Sequence, residues 1–164
     1  MTPDADLDIL IDEPGWTAAF DGIEALCRRA VEAALGAAPE EARRCAISVL
    51  LTGDATMRRL NRSYRGQDKA TNVLSFPAGA DDGAAAGPGG EPPLLGDIAI
   101  GLEAVVREAE DEGKPPADHV CHLIVHGMLH LLGYDHDDET RARVMERLEA
   151  RLLDGLGVPD PYEP

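Results

Sequence analysis

A single domain of mixed α and β structure, α/β or α+β, is what this sequence predicts, and three observations carry it. Four short apolar stretches have the length and the flanking breakers of β-strands. They alternate with about five segments whose apolar residues recur at helical spacing. One of those segments carries Val120, Leu123, Ile124, Met128 and Leu131, is apolar nearly all round, and belongs at the centre of the fold. At 164 residues the chain is most simply one domain, spanning 1–164, with enough length for a real core.

Residues 7–12 form the first strand, stopped by Pro14-Gly15. Phe20, Ile23, Leu26, Cys27, Ala30, Val31, Ala34 and Leu35 then mark an amphipathic first helix. The second strand covers 45–51, with Ile47, Val49 and Leu51 on one face. Asp54 is expected to cap a helix reaching about Tyr64, with Met57 and Leu60 inward and Arg58, Arg59 and Arg62 outward. The third strand covers 73–76 and ends at Pro77. Residues 78–93 are rich in Gly, Ala, Pro and Asp and read as a flexible loop. The fourth strand is 94–100. A helix over 102–112 follows, with Leu102, Val105, Val106 and Ala109 on one side. Ala117 or Asp118 opens the central helix, and Asp137-Asp138 open the last, whose Val144, Leu148, Leu152 and Leu153 are expected in the core. Residues 159–164 read as a loose tail. These patterns leave the strand order open.

Composition excludes several classes. Hydrophobic residues make up 44% and charged residues 28%, the balance of a globular protein. No apolar run is long enough to span a bilayer, and the acidic start, Met1 to Asp6, is unlike a basic signal peptide. Three cysteines without a Cys-x-x-Cys suit reduced, mostly buried thiols in a cytosol. A net charge of −16 argues against a general nucleic-acid binder, and no DNA partner is expected. Within that acidity, Arg58, Arg59, Arg62, Arg65 and Lys69 stand against Asp68 alone. This cluster is either a solvated helix face or an anion-binding surface.

The chemistry concentrates in His126-Gly127-Met128-Leu129-His130-Leu131-Leu132-Gly133-Tyr134-Asp135-His136, which holds three of the five histidines. His126 and His130 are one turn apart on one helix face, so their imidazoles can converge on one ion. His122 shares that face but lies about 12 Å of helical rise from His130, too far to join the same ion with it. Gly133 can end the helix in a left-handed residue and let the chain turn back to present His136. Three imidazoles with an open position make a catalytic zinc centre for one Zn2+. Asp135 as a fourth ligand would make it structural. The spacing also matches the frame of metzincin proteases, whose general base, a Glu after the first His, is replaced here by Gly127. Glycine inside a helix costs roughly 1 kcal/mol relative to alanine, so close approach by a neighbour or a substrate must favour it. Arg65, followed by Gly66, either points its donor fork into a cleft toward phosphate or caps the helix end.

Three blocks then resemble the YbeY family of endoribonucleases: Asn61-x-x-Tyr64-Arg65-x-x-Asp68-Lys69-x-Thr71-Asn72-Val73-Leu74-Ser75-Phe76-Pro77, then Leu95-Gly96-Asp97-Ile98, then the histidine stretch. The blocks cover a little over a third of the chain, and the first sixty residues carry no signature. The resemblance implies an α+β fold, a four-stranded mixed sheet packed with five to six helices and the zinc-binding histidine helix central. It implies zinc on His126, His130 and His136, and Arg65 in RNA cleavage. It further implies a zinc-dependent, single-strand-specific activity in 16S rRNA 3′-end maturation and ribosome quality control, in bacterial cytoplasm. Single-stranded RNA such as the 16S precursor is then the substrate, with ribosomal proteins or an assembly GTPase as possible partners. Lys69 is expected to help Arg65 stabilise charge on the phosphorane. Asp135, Asp97 and His122 are unranked choices for the general base, and Asp135 could instead orient a ligand. Two rivals stand beside this reading: a zinc peptidase-like hydrolase, and a non-catalytic, zinc-stabilised ribosome assembly factor.

Overall fold

The computed structural model describes residues 6–78 and 93–162. In chain order the elements are β1 (Asp6–Ile11), α1 (Gly15–Ala19), α2 (Ile23–Gly36), α3 (Glu40–Arg43), β2 (Ala46–Thr52), α4 (Asp54–Arg65), β3 (Val73–Pro77), β4 (Leu94–Gly101), α5 (Leu102–Glu112), α6 (Pro116–Leu131) and α7 (Glu139–Gly155). The strands form one mixed sheet in the order β1-β2-β4-β3. β1, β2 and β4 run parallel, and β3 pairs antiparallel with β4 at one edge. The fold is α+β, as expected. No helix among the described residues is long and apolar enough to cross a membrane.

Alternation along the strands divides the core in two. Ile47, Val49 and Leu51 of β2, with Ile98 and Ile100 of β4, face the main core beside α2 and α6. The residues of opposite parity, Leu50, Leu74, Phe76 and Ala99, meet Met57 and Leu60 of α4 on the other face. α6 is the hub: it touches α2, α5 and α7 as well as β3 and β4. Ten of its residues are buried, including Val120, Ile124, Val125, Met128 and Leu129. Gly127 explains how close the helix comes. A Cβ there would lie 3.0 Å from Ser75 Oγ and 3.3 Å from two carbons of Ile98, so glycine lets α6 lie against the sheet. The neighbour is sheet side chains.

Several local expectations are corrected. Seven helices occur among the described residues, because α1 and α3 are single turns too short to show periodicity. α1 seats the fully buried Trp16, whose indole N–H donates to the Thr52 carbonyl at 2.8 Å and whose ring stacks on Phe20. Phe20 therefore ends α1, and α2 opens only at Ile23, after Gly22 turns the chain at φ 67°. Asp54 does not cap α4: its backbone N–H donates to the Glu103 carboxylate of α5 at 3.2 Å, so the cap is supplied from a neighbouring helix. Val106 and Val144 point to solvent, 40% and 50% exposed. On α7 the buried series is Met145, Glu149 and Leu153, one register away from Val144. Asp138 does cap α7, accepting from the Arg141 N–H at 2.8 Å. All three cysteines are buried and free. The loop reading of 78–93 lies outside the described residues except at its ends, where the Ala78 N–H donates to Leu95 O and Pro93 O accepts from the Ala46 N–H.

β4 passes close under α6 at Gly96. A Cβ there would come within 2.7 Å of the Phe76 carbonyl and 2.5 Å of Leu131 Cδ2. Replacing Gly96 by alanine forces β3 or α6 outward, and we expect about 1–3 kcal/mol of lost stability. Urea unfolding of G96A at unchanged m-value is the check.

Candidate functional site

The last turn of α6 builds the site. His126 and His130 lie on one face, with ring centroids 4.7 Å apart and planes nearly perpendicular. The helix closes with Gly133 N–H to His130 O at 3.0 Å and Tyr134 N–H to Leu129 O at 2.9 Å. Gly133 takes φ 98°, the left-handed turn that sends the chain back. Asp135 Oδ1 then accepts from the His136 N–H at 2.7 Å, and the His136 ring arrives 5.1 Å from that of His130 and 5.9 Å from that of His126. One nitrogen from each of the three histidines lies within 4.8 Å of the other two.

This donor set fits a metal. Nε2 of His126 and Nε2 of His130 are 3.2 Å apart. Two tetrahedral ligands with bonds of about 2.0–2.1 Å stand about 3.3 Å apart. His126 turns its other nitrogen, Nδ1, to the Glu149 carboxylate at 2.9 Å, the backing that metal-binding imidazoles ordinarily have. Burial, then the neighbouring His126 and His136, push the His130 pKa down and favour the neutral, ligating form.

The histidines open onto a cleft of about 640 Å³, walled by Arg65, Asn72, Ser75, Tyr134 and Asp135 among others. It lies along the β3 edge of the sheet: Val73, Ser75 and Pro77 face it, and Ser75 Oγ also donates to the Gly127 carbonyl at 3.2 Å. Arg65 reaches it from the end of α4, where Gly66 at φ 69° terminates the helix. Asn72 is held from behind: its amide donates to Glu108 Oε1 at 2.9 Å, and the same oxygen meets His119 Nε2 at 2.8 Å.

Of the residues singled out from the sequence, Arg65, His126, His130, Asp135 and His136 share this cleft. Lys69, His122 and Asp97 do not line it. Lys69 is exposed beyond α4, and Asp97, half-buried on β4, has its pKa raised by burial. His122 sits on the far side of Glu149, bonded to Oε1 at 2.6 Å. Asp135 has its pKa lowered, chiefly by the His136 backbone N–H, and is ionised at neutral pH. Arg58 is spent on Asp68 in a two-pronged pair at 2.7 and 3.0 Å.

Glu149 is the residue the sequence reading missed. It is fully buried on α7 and accepts from His122, His126 and, at 2.7 Å, the hydroxyl of Tyr162. Burial alone would raise its pKa; the bonds from His122, His126 and Tyr162 outweigh it and hold the carboxyl at about 2. The tyrosine is raised in turn, by burial and by its bond to Glu149. Glu108 and His119 were missed too, since no local pattern links positions 72, 108 and 119.

With this geometry established, comparison with known proteins is decisive. The family model described as "Endoribonuclease YbeY" matches residues 16–157. The chain belongs to the YbeY family. A relative named Endoribonuclease YbeY from Rhodopseudomonas palustris (strain HaA2) is 54% identical over 141 residues, 85% of this chain and 72% of the relative. Another YbeY, from Paramagnetospirillum magneticum, is 47% identical over 99% of this chain and 98% of its own. The solution structure of TM1509 from Thermotoga maritima matches with a TM-score of 0.55 at 22% identity, covering 96% of this chain and 99% of that one; it shows the shared fold.

His119 provides a pH test of the cleft wall. Burial lowers its pKa against the pull of Glu108. The unfolded chain therefore takes up a proton near the ordinary histidine value of about 6.5 that the folded chain resists. Stability is lost as pH falls through that value, down to the lower folded pKa. His119→Gln keeps a donor and removes the titration, so its unfolding free energy should fall less than wild type's between pH 7 and 5 in parallel urea titrations.

Proposed function

We propose that this chain is a zinc-dependent, single-strand-specific endoribonuclease that acts in 16S rRNA 3′-end maturation and ribosome quality control in the cytoplasm. One observation carries the reading: in a YbeY-family chain, three convergent imidazoles and Arg65 line the same cleft. His126, His130 and His136 hold one zinc ion. Zinc held there supplies Lewis acidity, stabilising negative charge on oxygen near neutral pH.

The chain's own groups do the rest. Arg65 offers a planar fork of N–H donors to the oxygens of the scissile phosphate, where charge grows in the transition state. Thr71, Asn72 and Ser75 line the same wall and present hydrogen-bonding groups to sugar or base. Asn72 is pre-oriented by Glu108, so its contact costs little ordering on binding. Asp135 is the one of the three base choices that lines the cleft; it serves as proton acceptor or as the anchor for His136. Lys69, outside the cleft, contributes only to its approach potential. The acidic remainder of the surface suits docking on basic ribosomal proteins, and an assembly GTPase is the other partner this reading allows.

A single-stranded RNA carrying a 16S 3′ extension tests the proposal. Wild type should cut it and leave the duplex form intact, and His130→Ala should not cut. Arg65→Ala should lose about 10²–10³-fold in rate while still binding zinc. Equal cutting by wild type and His130→Ala would sink the reading. No cutting by any protein would favour the non-catalytic assembly factor. Zinc should also stabilise the fold: at a hundred times its dissociation constant, unfolding should cost about 2.7 kcal/mol more than in chelator. His130→Ala should show no such gain in thermal melts.

A further inference from the structure

We propose that Glu149 and Tyr162 form a clasp that positions the metal centre, the buried carboxylate holding His126 with its proton on Nδ1 and its Nε2 lone pair facing the ion. The inference rests on the metal reading above and adds the residues that prepare the ligand.

A carboxylate with no solvent exposure is tolerated only when donors surround it. Glu149 has three. Oε1 accepts from His122 Nε2 at 2.6 Å and from the Tyr162 hydroxyl at 2.7 Å, which leaves Oε2 to His126 Nδ1 at 2.9 Å. An ionised carboxylate only accepts, so the ring nitrogens facing it carry hydrogen. A neutral His126 with Nδ1–H has its lone pair on Nε2, the nitrogen that stands 3.2 Å from His130 Nε2 in the cleft. An unassisted imidazole would divide its proton between two nitrogens, and only one of those forms can ligate from Nε2. His122 serves as a strut: its Nδ1 is buried without a hydrogen-bond partner among the described residues, and its Nε2 is anchored on Glu149.

His122, His126 and Glu149 are also close enough to hold an ion of their own. Their separations of 2.6–2.9 Å are hydrogen-bond distances, and the Tyr162 hydroxyl already occupies Oε1. A clasp accounts for the cluster without a second metal.

Tyr162 comes from beyond the last helix. Gly157 turns the chain at φ 78°, Val158 N–H donates back to Leu153 O, and Asp160 Oδ1 accepts from the Tyr162 N–H at 2.8 Å. The segment expected to be loose thus brings a phenol edge-on to His122, 6.0 Å between ring centroids, and closes the outer side of Glu149.

The test is zinc affinity, by competition with a chromophoric chelator, together with ¹⁵N spectra of the metal-free protein that report the His126 tautomer. Wild type should bind one Zn2+, with the His126 proton confined to Nδ1, and His130→Ala should lose binding. Glu149→Gln should bind about 10–100-fold more weakly and show His126 with its proton shared between nitrogens. Tyr162→Phe should weaken binding several-fold, less than Glu149→Gln. If Glu149→Gln does not fold, Tyr162→Phe decides by the same two readouts, since Tyr162 is 45% exposed and the substitution removes only its hydroxyl. Wild-type affinity and tautomer in Glu149→Gln overturn the clasp alone. The same result in Tyr162→Phe removes the tyrosine from it where Glu149→Gln folds, and overturns the clasp where it does not. Two zinc ions on wild type, one of them lost in Glu149→Gln, overturn it in favour of a second metal site. No zinc on wild type, or undiminished binding by His130→Ala, overturns the metal reading and the clasp together.

Discussion

A helix that is apolar on nearly every side has to be wrapped, and wrapping α6 determines the arrangement of everything else. Its ten buried residues require α2, α5 and α7 around it and the β3–β4 side of the sheet beneath it. Each large apolar side chain so buried contributes about 1.5–3 kcal/mol. That enclosure leaves the C-terminal turn as the place where polar groups can emerge. His126 and His130 emerge there, backed by a helix whose position is over-determined. A site mounted on so enclosed an element has its ligand-bearing backbone fixed by the core.

The same enclosure explains how one side of His126 faces a cleft while the other faces a buried carboxylate. α7 must pack on α6 to cover it, and in doing so it carries a charged residue into the interior. The charge is admissible because three donors converge on it, and those donors belong to α6 and to the segment after α7. The apolar packing and the polar network are therefore one construction. The basic residues are organised less tightly. Arg58 is neutralised by Asp68, whereas Arg65, about two turns further along α4, remains turned to the cleft. In a chain of net charge −16, such local placement, rather than overall charge, sets the potential an anionic ligand meets.

What could be read from the sequence follows the range of the interactions. The four strands, the five longer helices and the central place of the histidine helix were legible because each rests on local periodicity. The His126–His130–His136 frame was legible for the same reason: helix pitch and one glycine turn bring the three together. Trp16, Glu108, His119 and Glu149 were not, because their roles depend on partners 36, 36, 11 and 23 residues away. Glu149 shows the reason most clearly. An acidic residue on an amphipathic helix reads as solvent-facing, and only the arrival of His122, His126 and Tyr162 makes its burial stable. Asp54 fails in the opposite sense: a plausible local cap is displaced by Glu103 from a neighbouring helix.

Gly127 carries a further consequence, for protein engineering and for how such sites diverge. The zinc proteases with a similar histidine spacing carry a glutamate at the corresponding position. In this fold the Cβ vector of residue 127 points into the sheet, against Ser75 and Ile98, rather than into the open cleft. A glutamate installed there would collide with the packed side chains of Ser75 and Ile98. Converting this scaffold to peptide hydrolysis would first require lifting α6 from the β3–β4 surface. That shift would undo the contacts that hold the histidines, so the two chemistries are separated by backbone placement as well as by one residue.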